Sequence, residues 1–73
     1  MMTKRSIARR VCDLQYEMRE LESKRSRSMA VILEALVRKT EPNAVELMYF
    51  RTYSAKIDEK REQMQALLRQ LEK

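Results

Sequence analysis

Apolar side chains recur through the first half of the chain at Ile7, Val11, Leu14, Met18, Leu21, Met29, Ile32 and Leu36, and Arg25 takes the one polar place in the series. Steps of three and four residues keep side chains on one stripe of an α-helix. One extra four-residue step near Arg25 reads as a stutter in a heptad pattern. The second half carries a similar series, Leu47, Phe50, Tyr53, Ile57, Arg61, Met64, Leu68 and Leu71. Between them lies one clear breaker, Thr40-Glu41-Pro42-Asn43. Pro42 disfavours helix at Glu41. Asn43 followed by Glu46 fits an N-cap with a capping box, in which the Asn side chain accepts from the Glu46 N–H. Arg38 and Lys39 suit the negative end of a finishing helix. The pattern predicts helix 1 over about 3–39, a turn at 40–42 and helix 2 over about 43–72, in a single domain 1–73.

A connection this short makes the helices antiparallel neighbours. The fold class is therefore all-α, a coiled-coil-like two-helix hairpin. Folding at Glu41 sets residues opposite one another whose numbers sum to about 82. Ile32 then meets Phe50, Met18 meets Met64, and Val11 meets Leu71. Asp13 falls opposite Arg69, Glu22 opposite Lys60, and Lys24 opposite Asp58. Such exposed pairs are worth about 0–1 kcal/mol each, so they set register more than stability. Helix 1 is the longer rod, and about eight of its N-terminal residues overhang helix 2 at this register. The polar island Ser23-Lys24-Arg25-Ser26-Arg27-Ser28 offers an alternative. Ser26 or Ser28 suits an N-cap and would divide helix 1 in two. A stutter absorbs the phase shift without a break, which favours one continuous helix.

Composition narrows the function. The 73 residues include no glycine, no histidine, one cysteine and one proline. Phosphate-cradling loops and dinucleotide fingerprints need glycine, so both are excluded. One thiol without histidine excludes a conventional structural zinc site and an internal disulfide. No cofactor or metal is expected. Nor is a small-molecule substrate, because a two-helix hairpin has no cavity of its own. No apolar run follows the basic start as in a secretory signal, and none approaches the length of a membrane span. A cytoplasmic location with a reduced Cys12 is the expectation. Cys12 flanks the seam and reads as a small packing residue. Without a histidine base it makes a poor nucleophile, so the chain is read as non-enzymatic. Tyr16, Tyr49 and Tyr53 read as packing or interface aromatics.

Two features remain that carry function. The first is an apolar surplus beside the seam near the turn: Ala30, Leu33, Val37, Val45, Met48 and Tyr49. A hairpin buries one stripe per helix, so a second stripe marks an interaction surface. A second copy would complete a four-helix bundle as a homodimer; a partner helix of another protein would fill the same groove. The second is basic clustering. Net charge is +5, and Lys4, Arg5, Arg9, Arg10, Lys24 and Arg27 lie in two clusters. These suit phosphate contacts or an acidic partner. Asp13, Glu17, Glu20 and Glu22 interrupt the basic surface, and no recognisable nucleic-acid-binding motif is present. The primary expectation is a protein-interaction module of the adaptor, assembly-factor, chaperone-like or small-regulator kind. The alternative is a small basic regulator that binds nucleic acid. Arg25 and Arg61, placed in the seam by the periodicity, are expected to snorkel or find acids, with Arg25 facing Ile57 and Arg61 facing Leu21. On that placement, Arg61→Leu would raise thermal stability.

Overall fold

A computed structural model describes residues 3–72; Met1, Met2 and Lys73, which fall within the expected span 1–73, lie outside the described residues. Two helices, α1 (Lys4–Val37) and α2 (Ala44–Leu71), pack against each other as an antiparallel hairpin. The molecule is a rod of 53 × 16 × 14 Å. α1 is continuous through Ser23–Ser28, so the polar island does not divide it. Thr3 caps α1 by accepting the Ser6 N–H at 3.1 Å, the side-chain-to-N3 bond that satisfies an otherwise orphaned amide. Among the described residues no helix is long and apolar enough to cross a membrane.

The turn forms differently from the proline-centred expectation. α1 ends at Val37, and Lys39 adopts φ 59°, the left-handed conformation. The Thr40 N–H donates to the Ala35 carbonyl at 2.9 Å and the Lys39 N–H to the Leu36 carbonyl at 3.1 Å. This pair of crossed bonds is a Schellman cap, which usually takes glycine at the left-handed position. With no glycine in the chain, lysine fills it. The Thr40 hydroxyl adds a second bond to the Ala35 carbonyl at 3.0 Å. Asn43 caps α2 as expected, but its side chain accepts from Val45, at 2.8 Å, instead of Glu46.

The earlier reversal changes the register and the seam. The innermost positions of α1 at heptad spacing run Ile7, Val11, Leu14, Met18, Leu21, Arg25, Ser28, Ile32 and Ala35, with Arg10, Glu17, Glu22 and Met29 half-buried at the edges of the seam. That is an unbroken heptad series, with no stutter. Ser28 is 4% exposed while Leu36 is 54% exposed, so the seam keeps its phase and accepts small residues. On α2 the series is Phe50, Tyr53, Ile57, Lys60, Met64, Leu67 and Leu71. Lys60 and Leu67 replace Arg61 and Leu68, which face outward. Leu14 and Ile57 are fully enclosed.

Facing numbers now sum to about 78, roughly one helical turn from the expected register. Ile7 is 4% exposed, which requires α2 to reach its level; at the expected register it would project beyond Leu71. The ion pairs shift accordingly. Lys60 donates to Glu17 at 3.3 Å, not to Glu22. Asp58 pairs with Arg61 on its own helix at 3.3 Å, not with Lys24. Glu17 also lies 3.7 Å from Arg10, and no Asp13–Arg69 pair forms among the described residues.

Candidate protein-interaction surface

The heptad phase decides which apolar side chains stay outside. Large apolar residues exposed on the hairpin are Tyr16, Val31, Leu33, Leu36, Val37, Val45, Met48, Tyr49 and Leu68. Seven of these nine lie between Val31 and Tyr49, around the turn. Their origin is local: the seam near the turn runs through Ser28, Ile32 and Ala35, and the larger neighbours Leu33, Leu36 and Val37 point elsewhere. All six residues of the expected stripe are exposed.

The six do not share one face. Ala30 and Leu33 line a groove on one flank with Arg25, Ser26, Met29 and Phe50. Tyr49 lines a groove on the opposite flank with Lys24, Arg27, Ser28, Val31 and Tyr53. Val37, 81% exposed, and Met48 lie about half a turn of helix away from the seam, on the outer surfaces. Val45 sits one helical turn before Tyr49. The apolar surface thus wraps the turn instead of forming a single stripe. Tyr49 and Tyr53 stack with ring centroids 6.1 Å apart and planes at 28°, within the separation at which aromatic pairs attract. Leu36 and Val31 belong to the surface and were absent from the expected set. A correct heptad phase would have found Leu36, which the stutter had drawn into the seam.

The basic candidates do not converge. Lys4, Arg5 and Arg9 are exposed on the first turns of α1, and Arg10 is half-buried against Glu17. Lys24 and Arg27 stand about 20–30 Å along the helix. The groove between the clusters is lined by Glu17, Glu20 and Glu59 as well as Lys24, Lys56 and Lys60, a balanced set of charges. Arg25 is half-buried beside Phe50 and makes no ion pair among the described residues, whereas Arg61 is exposed and paired with Asp58. Cys12 is free and exposed, not packed as expected. Among the described residues no group of three or more His, Cys, Asp or Glu side chains is placed to hold a metal ion.

The fold and surface define a helical hairpin with open grooves and an apolar tip. Comparison with protein-family models, curated proteins and solved structures finds no match.

Proposed function

We propose that the chain is a non-enzymatic protein-interaction module that docks helical partners through the apolar surface around its turn. One observation carries this reading: the exposed large apolar residues concentrate between Val31 and Tyr49. Isolated exposed apolar residues are normal on a protein surface, but seven large ones gathered around one turn favour a binding site there. Leu33 with Val37, and Val45 with Met48 and Tyr49, follow the three- and four-residue spacing by which one helix packs onto another. Met48 adds a flexible, polarisable side chain suited to irregular contacts. Adaptors, assembly factors, chaperone-like proteins and small regulators all use this physics.

The test is Val37→Ser combined with Met48→Ser. Both sites face solvent, so helix content and unfolding free energy should stay within about 0.5 kcal/mol of wild type. Binding of a generic amphipathic peptide, with leucine at i, i+3, i+4 and i+7, should fall sharply in a fluorescence-anisotropy titration. Equal binding by variant and wild type would remove the tip from the interaction surface.

A further inference from the structure

We infer that a second copy of this chain docks on the flank bearing Glu22, Arg25, Arg51 and Asp58, antiparallel to the first, and completes a four-helix bundle. The hairpin alone leaves this flank open. Among the described residues only Ile7, Leu14, Met18, Ile32 and Ile57 are enclosed apolar side chains, a thin core for a chain whose one cysteine cannot make an internal disulfide.

The charges on the flank select one arrangement. Glu22 and Arg25 straddle a point between Ser23 and Lys24 on α1; Arg51 and Asp58 straddle a point between Ser54 and Ala55 on α2. In the observed register these two points lie at the same height along the rod. A two-fold axis crossing the flank at that height lays α1 on α1 and α2 on α2, each pair antiparallel. Glu22 then faces Arg25 of the second copy, and Asp58 faces Arg51 of the second copy. Symmetry makes each contact twice. The parallel arrangement sets α1 against α2 of the second copy. It brings Glu22 near Asp58, Arg25 near Arg51 and Arg19 near Arg61, each pair within about two residues of the same height, so like charge meets like at these three places.

The shape obeys the same axis. The groove of Arg25, Ser26, Met29, Ala30, Leu33 and Phe50 lies on the turn side of it. A second groove, lined by Gln15, Met18, Arg19, Glu22 and Met64, lies an equal distance on the other side. The two-fold exchanges them, so Met29 and Leu33 of one copy reach the Met18 and Met64 groove of the other. Arg19 and Arg61 cover the same apolar residues with their stems and keep their charges in water. About 28 residues of α1 and about 22 of α2 overlap, roughly 42 and 33 Å. Across a width of 16 Å this is on the order of 600 Å² per copy, at the lower end of the roughly 600–1,000 Å² per partner of a stable interface.

This dimer covers Met29, Leu33 and Leu36, and to that extent rests on the reading of the tip as an interaction surface. Val37, Val45, Met48 and Tyr49 stay outside it and remain free for another protein.

Two measurements on the full chain test the arrangement. In a Cys12→Ser background, Ser54→Cys stands beside its symmetry mate and should form an intermolecular disulfide under mild air oxidation. Lys56→Cys, on the opposite flank, should stay monomeric on a non-reducing gel. By sedimentation equilibrium, wild type should show twice the 8.8 kDa chain mass. Glu22→Arg or Arg25→Glu alone should weaken the dimer about tenfold at low salt, and the combined swap should restore it to within about threefold, because each new charge again meets its opposite. A monomeric wild type, or crosslinking through Lys56→Cys in place of Ser54→Cys, overturns the dimer. Loss of peptide binding in Val37→Ser with Met48→Ser would still uphold the tip reading in that case, so the two stand or fall separately.

Discussion

The two ends of the hairpin use apolar residues in opposite ways. Away from the turn, Ile7, Leu14, Met18 and Ile57 are enclosed in the seam, and the flanks carry charges such as Glu17 and Lys60. Toward the turn the enclosed residues are Ser28 and Ile32, while Leu33, Leu36, Val37 and Met48 stand in solvent. The turn end has more large apolar side chains and buries fewer of them. Phase relative to the seam, not apolar content, decides which residues hold the hairpin together and which are left for a partner.

The sharpest way to break this comparison is to truncate one leucine at each end. Leu14→Ala removes a fully enclosed side chain and should destabilise the hairpin by about 2–5 kcal/mol, enough to unfold much of a small domain. Leu36→Ala removes a side chain of the same chemistry that is mostly in solvent and should change stability by about 0.5 kcal/mol or less. Urea unfolding followed by circular dichroism at a concentration low enough to disfavour association reports both. Equal losses would mean that Leu36 belongs to the core after all.

The sequence showed two helices, their antiparallel pairing and the excess of apolar residues near the turn. Residue choice also placed Asn43 correctly as the cap of α2. The phase past Arg25 was not legible, because the series was followed through the largest apolar residues. Met29 and Leu36 are better hydrophobes than Ser28 and Ala35, and preferring them created a stutter that the helix does not contain. The same preference drew Leu68 into the seam in place of Leu67, and Arg61 was preferred to Lys60. With Arg61 outside the seam, Arg61→Leu fills no layer, and the gain in stability expected for it loses its basis. Register depended on where the chain reverses, and a left-handed lysine leaves no compositional signal of the kind glycine leaves.

That lysine permits a smaller test of how the turn divides the two ends. Lys39 holds φ 59°, a conformation that costs a non-glycine residue about 1 kcal/mol or more. Lys39→Gly removes that strain but loosens the unfolded chain, and should leave a net gain of about 0.5–1 kcal/mol. The register should not move, because the crossed bonds from Thr40 and Lys39 use backbone atoms alone. A chemical-denaturation midpoint that falls in Lys39→Gly would show that the lysine side chain contributes something the backbone cap does not.

The smallest effect concerns the polar flank away from the turn. Glu17 accepts from Lys60 across the two helices at 3.3 Å and lies 3.7 Å from Arg10. All three side chains are partly open to water, so solvent and ions screen the attraction. Glu17→Gln should cost less than about 1 kcal/mol at low ionic strength. The loss should fade near 1 M salt, where the screening length shrinks to about 3 Å. The cost of Leu14→Ala, by contrast, should survive the same salt, because enclosed apolar packing is not screened. Thermal unfolding of both variants across a salt series separates the two contributions. If Glu17→Gln proved as costly as Leu14→Ala and indifferent to salt, the flank and not the seam would hold this end together. The contrast between an enclosed far end and an open turn would then rest on hydrogen bonding instead of heptad phase.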